Sequence, residues 1–448
     1  MAVARNRALM SILIIVTVVG VTALFIYWAV HSPLQVQRFL VRLVLISLII
    51  FLAILFVRYF ALLWFGYLQH TEKTIRGGDE SDFTPPVTVI VPAYNEAGVL
   101  DDAIDALLQL DYPAYEIIVV DDGSTDDTAS VARGWEGQHG NVEVRVLNKA
   151  NGGKATALNT GIAHARYIFI LCMDADSWIE PQTLRVVMPH FIDPSVGAVA
   201  GNVKIVNRDH WLTRLQALEY IEGLNMPRRA QGFIGAVNIV PGPVGVFRLD
   251  ALHEVGGYDI DTFAEDADLT LKLVTAGWKI IYEDEAITWT QGPTNVLDLI
   301  QQRYRWTRGI LQATRKRKGI LLRPFPDFPL WLSAIEMVFE GVLWPVLNVY
   351  AHLFFAVVAL VYGMGELLLY WWILLTLLDL VVALITVSME EESLGLVPYA
   401  IAYRFFFILF LDVTKTFAAV EEALNLGMDW GKLRRIALAS SPRRVASE

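Results

Sequence analysis

The sequence predicts an integral membrane protein in which an α/β domain with a largely parallel sheet is inserted between apolar helical segments. Two observations carry this expectation. Of the 448 residues, 55% are hydrophobic and 19% charged, against roughly 45–50% and about 25% in a soluble domain. The apolar residues gather into runs long enough to cross a ~30 Å hydrocarbon core at both ends of the chain, and between those runs short β-rich stretches alternate with helical patterns. A net charge of −11 lacks the basic footprint of a nucleic-acid binder. The single cysteine, Cys172, excludes a disulfide framework and a cysteine-built metal site, and its place in an apolar strand marks it as a core residue.

Ala8–Val30 carries no charge and reads as an uncleaved span, because the apolar region of a signal peptide is shorter. A second span runs from Phe39 or Leu40 to Leu68, with Arg42 and Arg58 near its ends, where they can snorkel. The loop around Ser32–Val36 makes these a hairpin over residues 1–70. A polar linker (71–86) follows, with Gly77–Gly78 and Pro85–Pro86. An α/β domain occupies 87–296, with strands at Val87–Val91, Glu116–Val120, Val142–Val146 and Tyr167–Met173. Helices are expected at Val99–Leu110, Asp127–Gly137 and Lys154–Ala165. Residues 297–342 read as interfacial helices, including Trp331–Val342, and 343–420 as spans at Leu343–Tyr362, Leu367–Val387 and Val397–Ala419. A polar tail fills 421–448.

Arg5, Arg7 and the cluster Arg315–Lys318 place the α/β domain on the cytoplasmic side. Lys432, Arg434 and Arg435 also favour that side, which three downstream spans would deny them. Arg404, Asp412 and Lys415 inside the last segment either line or brace an aqueous path, or stay hydrated at the interface. Trp344, Trp371 and Trp372 read as interfacial anchors.

Ligands on such sheets gather at the carboxyl ends of the strands. Pro92–Ala93–Tyr94–Asn95–Glu96 follows the first strand, Asp121–Asp122–Gly123–Ser124 the second, and Asp174–Ala175–Asp176 the fourth. Each piece alone is an ordinary turn or cap sequence; together they collect carboxylates at one rim. Asp174 and Asp176 can project toward one oxygen-coordinated Mg²⁺ or Mn²⁺. Asn151–Gly152–Gly153–Lys154 is not a P-loop, because Asn148 stands at the first glycine position and Ala155 replaces the hydroxyl residue. Lys154 opens a helix, where it either meets an anion or is simply solvated. Asp266, in Glu265–Asp266–Ala267–Asp268, sits at a helix start, where acids are favoured in any case. Gln302, Arg305 and Trp306, at i, i+3 and i+4, share a helix face; a planar cation beside a large aromatic suits phosphate and sugar recognition.

Taken as a set, Val-Ile-Val-Pro-Ala-Tyr-Asn-Glu, Asp-Asp-Gly-Ser, Asp-Ala-Asp, Glu-Asp-Ala-Asp-Leu and Gln-Arg-Tyr-Arg-Trp resemble the membrane-embedded processive glycosyltransferases of family 2. That group includes cellulose, chitin, hyaluronan and poly-N-acetylglucosamine synthases. The resemblance covers Val87 to about Arg317 and is nearest to poly-β-1,6-N-acetylglucosamine synthase-like proteins. It implies a GT-A (Rossmann-like) fold and a UDP-sugar donor, UDP-N-acetylglucosamine favoured. Tyr94 and Asp122 would hold the uracil with Glu96 nearby, Lys154 and Asp174 the nucleotide, and Asp174 and Asp176 the metal. Asp266 would be the catalytic base. Gln302, Arg305 and Trp306 would grip the diphosphate and stack the acceptor, with Gly242 in the acceptor-end loop, which Pro241 matches only in part. One base and no enzyme nucleophile imply direct, inverting displacement at C1. The expected partners are the growing polysaccharide and the lipid bilayer of the cell membrane; a small membrane accessory subunit is compatible with this picture. Transfer to a lipid acceptor, a hyaluronan, chitin or glucan product, and a catalytically dead scaffold are the alternatives.

Overall fold

The computed structural model describes Leu24, Tyr27 and residues 31–76, 82–322 and 328–426. The expected first span, Ala8–Val30, therefore lies almost wholly outside the described residues. Arg5, Arg7, Lys432, Arg434 and Arg435 lie outside them too. Two compact units are distinguished, the larger holding the described residues from Leu62 to Glu422. Among the described residues, four helices are long and apolar enough to cross a membrane: Leu34–Thr71, Phe328–Leu360, Gly365–Met389 and Leu394–Ala423.

Helix α1, Leu34–Arg76, is 43 residues long, or ~65 Å at 1.5 Å per residue, twice the hydrocarbon thickness. It continues through Thr71–Arg76, which the sequence had suggested as linker, because no helix breaker precedes Gly77–Gly78. The Thr71 hydroxyl donates back to the Tyr67 carbonyl at 2.8 Å, satisfying itself inside the helix. Within the larger unit Gly66 lets α1 approach closely, since a Cβ there would lie 2.4 Å from the Met226 methyl.

The sheet has nine strands in the order β3-β4-β2-β1-β5-β8-β7-β9-β6. Strands β1 (Val87–Ala93), β2 (Tyr115–Asp121), β4 (Val142–Asn148) and β5 (Phe169–Cys172) fall where the alternation placed them. They pair in parallel. The crossover helices α2 (Leu100–Leu108), α3 (Thr128–Gly134) and α4 (Lys154–His164) separate them. All seven residues of β1 and of β2 are buried, as expected for strands covered on both faces. Helix α3 stops before Gly137, which instead opens β3 (Gly137–His139) and returns antiparallel to β4. A turn this short cannot make the crossover that parallel pairing needs. Beyond β5 the sheet is mixed rather than parallel. Strand β8 (Gly245–Arg248) runs antiparallel to both β5 and β7 (Val196–Ile205), while β9 (Lys279–Thr290) is parallel to β7 and antiparallel to β6 (Ser177–Ile179).

Helices α5 (Trp211–Tyr220) and α6 (Met226–Phe233) are joined through a π turn at Ile221–Asn225. Helix α7 (Glu265–Thr275) precedes β9, and α8 (Val296–Lys316) follows it. Helices α9 (Phe328–Val338) and α10 (Trp344–Tyr362) are likewise joined by a π turn, Phe339–Leu343. The segment Trp331–Val342 is thus continuous with the next span instead of forming a separate interfacial helix. In both places a proline, Pro227 or Pro345, follows the π turn. The wider turn absorbs the carbonyl that proline leaves without a donor.

Helices α11 (Gly365–Met389) and α12 (Ile408–Ala423) complete the apolar block. Arg404 is fully buried and forms a two-pronged ion pair with Asp379 of α11, while Asn348 donates to buried Asp412 at 2.6 Å. These polar groups brace helices against one another and are not hydrated at an interface. The tryptophans expected as anchors also turn inward. Trp344 and Trp371 are buried; Trp371 packs on Phe355 with ring centroids 5.0 Å apart, and Trp372 meets Phe405 edge-on at 5.1 Å.

A second ionic cluster ties the sheet to the loop after α11. Arg229 meets Glu390 at 2.8 Å and Asp284 at 2.6 Å, Asn202 donates to Glu390 at 2.6 Å, and Arg208 grips Glu392 with two nitrogens at 2.5 and 2.9 Å. Glu390→Ala would leave the buried Arg229 guanidinium with Asp284 but without its second carboxylate, and would take from Asn202 its acceptor. Thermal and chemical unfolding of the solubilised protein should show a loss of about 1–3 kcal/mol.

Candidate active site

Two loops at the carboxyl edge of the sheet are stitched together by local hydrogen bonds. After β1, Asn95 adopts φ 54°; its N–H donates to the Ser124 hydroxyl at 2.9 Å and its side-chain oxygen accepts from the Thr125 N–H at 2.6 Å. The Glu96 N–H donates to Thr128 Oγ1 at 2.7 Å. Gly123 needs to be glycine on two counts, since its φ is +71° and a Cβ would lie 2.7 Å from the Asn151 nitrogen. Tyr94 remains exposed beside this edge.

Asp122 is buried and faces the next loop. Its carboxylate accepts from Lys149 and from the backbone N–H groups of Gly152 at 3.1 Å and Gly153 at 2.7 Å. It therefore shapes the glycine turn that leads into α4. The residue after that turn is Lys154, and its ammonium bridges Asp174 Oδ1 at 2.5 Å and Glu265 Oε1 at 3.1 Å. Gly242 closes over the same pair; a Cβ there would stand 2.7 Å from Lys154 Nζ and 3.4 Å from Asp174 Oδ2. Chain segments far apart in sequence (Lys154, Asp174, Gly242 and Glu265–Asp266) thus meet at one point.

The electrostatics of that point are distinctive. Asp266 is half-buried, and the surrounding protein strips away enough water that burial, followed by the Glu265 charge, pushes its carboxyl up to about 6. Lys154 opposes this rise, and the Ala267 N–H steadies the carboxylate from 2.8 Å. Burial works against the Lys154 ammonium, yet the charges of Asp174, Glu265 and Asp266 outweigh it and hold the pKa above the ordinary lysine range. Two carboxylates therefore share one ammonium directly, and Asp266 feels its charge. Asp176 is buried in the turn between β5 and β6, and carboxylate oxygens of this kind are the hard donors that a divalent cation takes.

Among the described residues, a different trio of acids, Asp259, Asp261 and Asp268, lies close enough to share an ion. The Lys316 ammonium already sits among them, at 2.7, 2.7 and 2.9 Å. This trio is an ion-paired clasp on the C-terminal end of α8, joined by Arg317 at 3.9 Å from Asp268.

Helix α8 carries the third part of the site. Gln302 is buried and Trp306 half-buried. The guanidinium stacked on Trp306 is that of Arg303, 4.2 Å from the ring centroid, while Arg305 is half-buried on the same helix. Tyr220 lies beside both, with ring centroids 6.2 Å from Trp306, and its environment includes the charges of Asp176, Arg228 and Arg303. Arg228 in turn feels Asp266. Arg303, Glu219, Tyr220, Arg228 and Glu265 had no assigned role from sequence. Glu265 and Arg303 lie within quoted motifs and could have been found there, whereas the α5–α6 residues sit in no motif.

Residues 85–309, half of the chain, match the family described as "Glycosyltransferase like family 2". The chain belongs to this family. It is 33% identical over 265 residues to a poly-beta-1,6-N-acetyl-D-glucosamine synthase of Staphylococcus aureus, covering 58% of this chain and 62% of that protein. A protein of the same description from Staphylococcus epidermidis is 34% identical over 224 residues, 50% of this chain and 54% of its own length. The chain thus spans between about half and three-fifths of the curated relatives it matches. Among solved structures, the mannosyltransferase PcManGT from Pyrobaculum calidifontis, in complex with GDP-Man and Mn²⁺, superposes with a TM-score of 0.56 at 22% identity, over 84% of this chain and 98% of that one. The fold is GT-A-like, with a mixed sheet.

In this glycosyltransferase-family chain the Asp266 loop is seated directly on α8. A Cβ at Gly309 would lie 2.4 Å from the Ala264 nitrogen and 2.7 Å from the Phe263 carbonyl carbon, and Gln312 accepts from the Phe263 N–H at 3.1 Å. Backbone cannot yield as a flexible side chain can. Gly309→Ala should therefore destabilise the protein by about 1–3 kcal/mol and displace Asp266. The check is sugar transfer measured alongside thermal unfolding, with transfer falling at temperatures where the variant is still folded.

Proposed function

We propose that the chain is an inverting, metal-dependent glycosyltransferase. It moves a sugar from a UDP-linked donor, with UDP-N-acetylglucosamine first in line, onto a growing β-linked polysaccharide and passes the product across the membrane. The observation that carries this reading is the meeting of Lys154, Asp174, Gly242, Glu265 and Asp266 at the carboxyl edge of the sheet. The shared sequence with poly-β-1,6-N-acetylglucosamine synthases supports the choice of sugar.

An acceptor hydroxyl is a poor nucleophile at neutral pH, so a carboxylate within hydrogen-bond reach must take its proton as attack proceeds. Asp266 has the placement, and a pKa near 6 leaves it ionised at neutral pH yet basic enough to work. Lys154 stands where negative charge develops on the departing diphosphate. A Mg²⁺ or Mn²⁺ ion on Asp174 and Asp176, when bound, would supply further charge neutralisation on the phosphate oxygens. Tyr94, exposed at the donor edge, offers a face for the base, while Gln302, Arg305 and Trp306 face the acceptor. With no enzyme nucleophile, an α-linked donor gives a β-linked product. The basic run Arg315–Lys318 next to the apolar block supports a cytoplasmic position for this chemistry, where the donor is made.

The purified full chain in lipid nanodiscs should convert UDP-N-acetylglucosamine with Mg²⁺ or Mn²⁺ into high-mass polymer that a β-1,6-specific hydrolase digests. Single-sugar adducts on lipid, with no polymer, would replace this reading with transfer to a polyprenyl-type acceptor.

A further inference from the structure

We infer that Arg303, clamped by Glu219, is a positioning residue that sets Trp306 and Gln302 for the acceptor sugar. This rests on the transferase reading above.

The Arg303 side chain is 2% exposed and all three of its nitrogens are engaged. Nε and Nη2 reach the two carboxylate oxygens of Glu219 at 2.8 and 2.6 Å, and Nη1 donates to Gln302 Oε1 at 2.5 Å. The plane so fixed lies 4.2 Å over the Trp306 ring, with the Tyr220 ring at 5.9 Å. Residues 303 and 306 are one turn apart on α8, so the contact follows from the i, i+3 geometry. Glu219 comes from α5, at the far side of a long excursion through the sheet.

Two consequences follow for a ligand. Arginine has no acceptor atom, so the Gln302 amide must turn its oxygen toward Arg303 and its NH₂ away. Gln302 therefore offers donors, suited to the ring, hydroxyl or phosphate oxygens of a sugar substrate. With one face of Trp306 covered by the guanidinium, stacking of a sugar is confined to the other. A buried ion pair is a poor source of stability compared with apolar residues of the same size. Its value here lies in the orientation that a planar, two-pronged fork imposes on its neighbours, which a lysine cannot reproduce.

The test uses the full chain in nanodiscs and compares two rates in one preparation, sugar transfer to the acceptor and hydrolysis of the donor by water. Arg303→Lys keeps the charge and loses the fork. Transfer should fall on the order of 10-fold to 100-fold with a raised acceptor KM, and by far more than donor hydrolysis falls. Glu219→Gln, which releases the clamp without removing Arg303, should lower the transfer-to-hydrolysis ratio in the same direction. An unchanged ratio, or a fall in UDP binding equal to the fall in transfer, would show that the pair is only structural. A parental protein that neither transfers nor hydrolyses the donor would instead defeat the transferase reading itself, before either variant is made.

Discussion

Asp266→Asn is expected to lower kcat by a factor of about 10²–10⁴, the usual worth of a positioned general base, with UDP affinity retained. The amide keeps the size of the carboxyl and the hydrogen bond from the Ala267 N–H, but it cannot accept the acceptor's proton. The parental protein should show an acidic limb in kcat with a midpoint near pH 6, because burial and Glu265 raise this carboxyl from 3.8 to about 6. Below that pH the base is protonated and transfer stops; in the Asn variant the limb disappears. Linkage gives an independent check. A carboxyl whose pKa is higher folded than unfolded contributes stability that is complete below about pH 3.8 and is lost as pH rises through about 6. The loss is on the order of 2–3 kcal/mol. Asp266→Asn removes the buried charge, so at pH 7.5 the variant should unfold at a higher temperature than its parent while being nearly inactive. An active Asn variant, or one that is both inactive and less stable at pH 7.5, would remove Asp266 from the chemistry.

Lys154→Met should reduce kcat/KM by about 10²–10³, the scale of losing one preorganised charge at a developing anion. The ammonium lies between Asp174 and Glu265 at 2.5 and 3.1 Å, so its removal leaves these two carboxylates without the cation they share. Because Lys154 is the charge that holds the Asp266 pKa down, its loss should also move the acidic limb to higher pH. Lys154→Arg should rescue poorly. The larger head would have to fit beneath Gly242, where even a Cβ would come within 2.7 Å of the present ammonium. A pH–rate profile of each variant, with donor binding measured in parallel, decides between this charge role and simple solvation of an exposed lysine.

Much of the candidate site could be proposed from the chain because its parts are local. Tyr94, Asp122, Asp174 and Asp176 stand directly after β-rich runs, and a parallel sheet brings such positions to one edge. The cluster Lys154–Asp174–Glu265 was only half legible, for two of its members sat in motifs whose plainer meaning was a helix start. Arg303 stood inside the Gln-Arg-Tyr-Arg-Trp run, yet the spacing drew attention to Arg305. No pattern in the chain says which of two arginines finds a carboxylate 84 positions away.

Alone, the order of residues determined where the strands begin, which segments are apolar enough for a bilayer, and which acids stand at the sheet's edge. Those properties depend on side-chain period, hydropathy and turn chemistry, which act over a few residues. Only tertiary structure decided that the sheet is mixed beyond β5, that Trp344 and Trp371 pack inward, and that Arg404 pairs with Asp379, Arg229 with Glu390, and Arg303 with Glu219. A buried charge must find its counterpart wherever packing delivers one, and that delivery is set by the path of the whole chain.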